Sequence, residues 1–168
     1  MITVRQAGPD DVAAIARLFR SVQSLHVAHH PDEFKPTAAD EAERAWLAGV
    51  VGGSEARVWM AETAGVAAGY LLAQEVRREE SVIRPPLRFL LIEHIGVAPE
   101  HQKRGIGTAL MRAVLDEAAA LGIDRVKLDV WRFNDEARRF FARHGFATLH
   151  ERMEAKLPRA ADGVGEPS

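Results

Sequence analysis

The chain has 168 residues, 47% of them hydrophobic and 27% charged, the size and balance of one globular domain with a full core. A formal net charge of −2 offers nothing to nucleic acid or to an anionic membrane, and without cysteine there is no disulfide, thiolate metal site or acyl-thiol intermediate. No run of about 18 apolar residues and no basic-plus-apolar leader occurs, so a cytoplasmic protein with no membrane partner is expected.

In chain order, Ile2 to Ala7 alternates as a short first strand. Gly8-Pro9-Asp10-Asp11 then opens a helix with the apolar stripe Val12, Ile15, Leu18, Phe19 and Val22. The stretch from His26 to Pro36 reads as a loop or broken helix, because prolines interrupt it. Its histidines, His26, His29 and His30, with Asp32 and Glu33 after them, are read as surface or pocket side chains and not as a metal site, since Pro31 disrupts any single helical face where the carboxylates begin. Thr37 to Asp40 resembles a capping box with Asp for Glu, starting a helix through Trp46 and Val50 that closes at Gly52-Gly53. Arg57 to Glu62 and Val66 to Val76 are strands joined by a hairpin turn at Thr63-Ala64-Gly65, and Arg77 to Pro86 is a charged loop.

Leu87 to Val97 is long, almost wholly apolar and free of turn residues until Gly96, a strand buried on both faces and so a central one. A short polar, basic turn follows, then Gly105-Ile106-Gly107 and an apolar stripe at helical spacing from Ile106 to Leu121. A strand, Gly-rich turn and helix in that order leave amide N–H groups without an intrahelical partner at the positive end of the helix dipole. Glycines let that backbone approach a ligand, while Gln102, Lys103 and Arg104 add donors and charge. The arrangement is an anion site, and the natural anion is a pyrophosphate. A dinucleotide fingerprint fails at Leu110, and a nucleotide phosphate loop fails at Gly105-Ile106-Gly107-Thr108.

Arg125 to Trp131 alternates as a half-exposed strand. Asn134 caps a helix carrying acids in its first turn, which runs through Phe140 and Phe141 to stop at Gly145. Phe146 to Leu157 reads as a last strand. The expected organisation is a single domain over 1–157 and a disordered C-terminal tail over 158–168.

Two motifs carry a resemblance. Gln102-x-x-Gly105-x-Gly107 resembles the acetyl-coenzyme A (acetyl-CoA) loop of the GNAT family (Gcn5-related N-acetyltransferases), with its Gln/Arg-x-x-Gly-x-Gly/Ala pattern. Asn134-x-x-Ala137-x-x-Phe140-Phe141-x-x-x-Gly145-Phe146 resembles the same family's second signature. The resemblance covers roughly Ile2 to Leu157 and implies the GNAT fold. That is an α/β fold with a central mixed, mostly antiparallel sheet, a splayed central pair of strands and about four helices on its two faces. It also implies acetyl-CoA as cosubstrate, held by Ile95 and Val97, by Gln102 to Thr108 (with Ile106 among them), and by Asn134 and Phe141. The N–H of Val97 or Gly96 would polarise the thioester carbonyl.

Transfer to a primary amine needs a neutral nucleophile, so a base is wanted. Glu93 lies four residues before Val97, where several family members carry one; ion pairing with Arg88, or anchoring a cationic substrate, are the alternatives. His94 is expected on the opposite face. The Tyr that usually protonates the departing thiolate is replaced by Phe141, and the only tyrosine is Tyr70, on another strand. His26, His29, Asp32, Glu33 and Phe34 are candidate acceptor contacts, an acidic, aromatic-edged mouth suited to a small cationic amine. The reading that results is an acetyl-CoA-dependent N-acetyltransferase acting on a primary amine by direct attack in a ternary complex, with a small-molecule amine favoured. A protein or peptide N-acetyltransferase and a non-catalytic acyl-CoA-binding module stay open, as does a homodimer.

Overall fold

The computed structural model describes residues 1–38 and 40–157. The expected tail over 158–168 lies outside the described residues. Two compact units are distinguished, Met1–Asn134 and the stretch from Asp135 onward.

The first unit holds one five-stranded sheet in the order β1-β2-β3-β4-β5. Its strands are β1 (Ile2–Gln6), β2 (Ala56–Thr63), β3 (Val66–Arg78), β4 (Leu87–Val97) and β5 (Val126–Leu128). The first four are antiparallel neighbours, and β5 joins β4 in parallel. Ala64 and Gly65 both take positive φ (50° and 75°), giving the tight connection whose twist suits a β2–β3 hairpin. Pairing of β3 with β4 extends to Arg78↔Leu87, so only Arg77 and Arg78 of the expected charged loop are strand, and the rest connects the two strands around the Ser81↔Arg84 bridge.

Helix α1 (Val12–His29) and helix α2 (Glu41–Gly52) cover one face of the sheet. There Ile15, Leu18, Phe19 and Leu47 pack against Val58, Met60, Tyr70 and Leu72, alternate residues of β2 and β3. Helix α3 (Ile106–Ala120) lies on the other face, where its Ile106 and Leu110 sit against Gly69. Gly69 is glycine for a reason: a Cβ there would stand 2.9 Å from the Gly96 carbonyl oxygen and 3.0 Å from Ile106.

Several boundaries differ from the sequence reading. Helix α1 does not break at His26; it runs through His29 and ends at His30 (φ −139°, ψ 66°), immediately before Pro31. A residue preceding proline is driven out of the α region by the ring, so the helix stops there and no earlier. Asp40, not Thr37, caps α2, accepting the Glu43 N–H at 2.9 Å. β5 is only Val126–Leu128, shorter than the alternation up to Trp131 suggests.

The second unit contains α4 (Asp135–Arg143), followed by Gly145 at φ 86°, the usual left-handed helix stop. Phe146 to Leu157 forms no strand, contrary to expectation. Of the described helices, none is long and apolar enough to cross a membrane.

Candidate active site

β4 is laddered on both sides only in its first half. Its pairing with β5 ends at Ile92↔Leu128, while pairing with β3 continues to Gly69↔Val97. From Glu93 onward, the edge that β5 would have covered is open. The Ala98 N–H bonds the Ala68 carbonyl at 2.9 Å, which sets the phase of the β3–β4 ladder. Because directions alternate, Gly96 and His94 turn their backbone groups to β3, and Ile95 and Val97 turn theirs to the open edge. Of the two candidates Gly96 and Val97, only Val97 presents its N–H there. Its carbonyl accepts from Gln102 Nε2 at 3.3 Å, tying the loop back to the strand end.

Glu93 sits on a β-bulge. The register passes from Leu72↔His94 to Ala73↔Ile92, leaving Glu93 as the extra residue. Strict alternation would put Glu93 and His94 on opposite faces, but the bulge places both on the α1 face. Gln74, which shares that face with Tyr70 and Leu72, donates from Nε2 to Glu93 Oε1. His94 packs edge-on to Phe19 at 5.3 Å. Glu93 is exposed, so the cost of full burial expected from its apolar neighbours is not incurred; partial desolvation still raises its pKa above the usual carboxylate range. Arg88 is not its partner: that guanidinium is taken by Glu75 at 2.7 Å. Burial, and then the nearby His26, push the His94 imidazole down to about 4, so it is neutral in ordinary buffer.

Beyond Val97, a single 3₁₀ turn over Pro99–His101 leads into Gln102, Lys103 (φ 59°) and Gly105 (φ 87°), and α3 begins at Ile106. The first bond of α3 runs from the Ala109 N–H to the Gly105 carbonyl at 2.9 Å. The amides of Ile106, Gly107 and Thr108 therefore lie in the first turn with no intrahelical acceptor, and no described side chain caps them. Gln102, Lys103, Arg104, Gly105 and Thr108 are exposed, so the amide row opens to solvent. A diphosphate suits such a turn: bare N–H donors, a helix dipole and flanking cations.

Tyr70 pairs with Gly96 in register but is fully buried on the α1 face. Its hydroxyl has no hydrogen-bond partner among the described residues, and burial raises its pKa strongly. It is packing beneath Gly96, where a Cβ would come within 2.7 Å of the Tyr70 ring and 2.8 Å of Val22. Of the residues expected to contact an acceptor, His26 stacks on Phe34 at 4.9 Å, and His29 lies flat on Phe133 at 4.0 Å. Trp131 and Phe133 join them, with His30 against Trp131 at 4.3 Å. The sequence reading missed Gln74, Trp131 and Phe133, since no spacing connects the end of α1 to the residues after β5. No group of three or more His, Asp or Glu side chains converges as a metal site among the described residues. Asn134 closes the first unit, and Phe141 belongs to the second, where its ring is 5.9 Å from Phe146.

A model of the acetyltransferase (GNAT) family matches residues 17–146, most of the chain. The chain belongs to the GNAT acetyltransferase family. It is thus a transferase of a family whose acyl donor is acetyl-CoA. Among solved structures, this acetyltransferase is similar to a tetramutant of the BH1408 protein from Bacillus halodurans (23% identity, TM-score 0.86, covering 92% of this chain and 99% of that one). It is also similar to the aminoglycoside N-acetyltransferase AAC(6')-Iy in complex with CoA (19%, TM-score 0.72, 95% and 96%). A third likeness is to the ribosomal-protein-alanine N-acetyltransferase from Brucella melitensis biovar Abortus 2308 (17%, TM-score 0.68, 94% and 100%). At these identities the likeness is one of fold. No curated protein matches the acetyltransferase.

Proposed function

We propose that this protein is an N-acetyltransferase that moves an acetyl group from acetyl-CoA to a primary amine, with a small-molecule amine as the acceptor. The observation that carries the reading is the end of the β4–β5 ladder at Ile92↔Leu128 while β4 runs on to Val97. It leaves a slot with backbone donors along one side, leading toward the uncapped start of α3. In this reading the Ile106, Gly107 and Thr108 amides, with Gln102, Lys103 and Arg104 beside them, hold the diphosphate of CoA. Ile95 and Val97 pair with its pantetheine arm, and Asn134 is a further candidate contact of that arm. Acetyl-CoA supplies an activated thioester.

The remaining chemistry falls to the chain's own groups. The Val97 N–H points into the slot, where it stabilises charge developing on a carbonyl oxygen; one such donor is typically worth about 3–4 kcal/mol. Glu93 faces the α1 side close by, with Gln74 fixing one carboxylate oxygen and the other left for an incoming ammonium. Its raised pKa suits a base that takes a proton from the amine directly or through a water. With Tyr70, the chain's single tyrosine, shut in the core, the thiolate departs unprotonated or takes its proton from water. A thiol pKa near 8.5 makes that tolerable.

The test is release of free thiol from acetyl-CoA across a panel of small amines and N-terminal or lysyl peptides. Acceleration by small amines is expected. Acceleration by peptides alone would transfer the reading to a protein acetyltransferase, and CoA binding without any acceleration would favour a non-catalytic binding module.

A further inference from the structure

The ring cluster at the end of α1 spans the open slot. On one side Val22 packs where a Gly96 Cβ would be, and one turn later His26 is close enough to His94 of β4 to depress its protonation. On the other side Phe133 and Trp131 follow directly after β5. His26, His29 and His30 join the two by stacking: His29 is parallel to Phe133 within 3°, and His30 lies 5.5 Å from Phe133 and 4.3 Å from Trp131. Phe34 completes the group, its ring 5.5 Å from Trp131. Stacked rings thus join the end of α1 to the residues that follow β5, with His26 near His94 of β4.

The character of this wall excludes some acceptors. His26 is half-buried, its Nδ1 has no partner among the described residues, and burial, then His30 and His29, lower its pKa and so disfavour its charged form. The His29 Nδ1–H donates to the Leu25 carbonyl at 2.9 Å. The carboxylates of the following turn, Asp32 and Glu33, are exposed, and Glu93 is the one carboxylate on the α1 face of β4 beyond Ile92. Trp131 keeps 37% of its surface exposed, which leaves part of its ring open to a ligand. One carboxylate matches one ammonium; the rest of the acceptor meets π surface.

We propose that His26, His29, His30, Phe34, Trp131 and Phe133 form an acceptor platform that selects a monoamine bearing a planar aromatic group over aliphatic amines and polycations. The inference rests on the N-acetyltransferase reading above. Glu93 then takes the amine end, and the flat group lies against Trp131 and Phe133. Aromatic pairing of this kind supports roughly a tenfold preference.

Thiol-release kcat/KM would be compared for 2-phenylethylamine, n-butylamine and spermidine with the wild-type protein, Trp131→Ala and Phe133→Leu. Expected is about a tenfold advantage of phenylethylamine over butylamine, cut to near parity in either variant, with the KM for acetyl-CoA unchanged. Phe133→Leu stays apolar and close in size, so it removes the aromatic face while leaving most of the packing in place. Equal rates for the two monoamines, or spermidine as the best acceptor, would overturn the platform while leaving N-acetyl transfer intact. If no amine is turned over, the enzymatic reading fails by itself. The platform is then decided by tryptophan fluorescence: a saturable change with phenylethylamine that Trp131→Phe abolishes supports it, and no such change refutes it.

Discussion

The two halves of β4 share a strand and nearly nothing else. In the first half, Leu90 and Ile92 are buried and paired on both edges, which is what a continuous apolar run does when neighbours exist. In the second half one edge is bare, a bulge interrupts the register, and the residues are a carboxylate, an imidazole and a glycine. The first half is there for stability. The second leaves backbone donors unused and lets a carboxylate sit beside them, at a cost that a purely structural strand would have no reason to bear.

The largest expected effect breaks the extension of that second half into α3. Gly107→Glu puts bulk and negative charge at the amide row, and CoA affinity should fall by about a hundredfold or more, as a like charge facing the diphosphate at a helix N-terminus demands. Isothermal titration with CoA checks it, and unchanged affinity would remove the loop from the site.

Next is Glu93→Gln, which keeps the Gln74 contact geometry but not the base. The expected loss in kcat is about 10²-fold or more, with little change in CoA affinity. The wild-type rate should rise with pH through a limb above the ordinary carboxylate range, because partial desolvation favours the protonated form of Glu93. The variant should lack that limb. A variant as fast as the wild type at every pH would take Glu93 out of the mechanism.

Gly96→Ala sharpens the contrast from the packing side. Its Cβ would meet Tyr70 at 2.7 Å and Val22 at 2.8 Å, and such crowding typically costs about 1–3 kcal/mol. Urea denaturation measures it. A neutral result would mean that α1 yields more readily than its packing indicates.

The smallest effect concerns His94. Unfolded, an imidazole binds protons below about 6.5; folded, this one does so only near 4. Between those values the unfolded chain holds more protons, so stability falls as pH drops through that window. Replacing His94 with Phe should flatten that part of the Tm-against-pH curve; an unaltered curve would show that another group carries the acid sensitivity.

What the chain order alone settled is local. The span of β4, the hairpin at Ala64-Gly65, the start of α3 and its uncapped first turn all follow from neighbours within a few residues. Periodicity, positive-φ glycines and orphan amides are short-range physics, and the family resemblance at Gln102 to Gly107 rests on the same residues. Tertiary structure alone decided three things. The bulge brings Glu93 to the face of His94, because one extra residue overrides alternation. Gln74 and not Arg88 meets Glu93, because Arg88 finds Glu75 first. And α1 reaches far enough, stopping only at Pro31, to set its histidines on Trp131 and Phe133, about a hundred residues away. Contacts of that range depend on how helices cross a sheet, which no period in the sequence encodes.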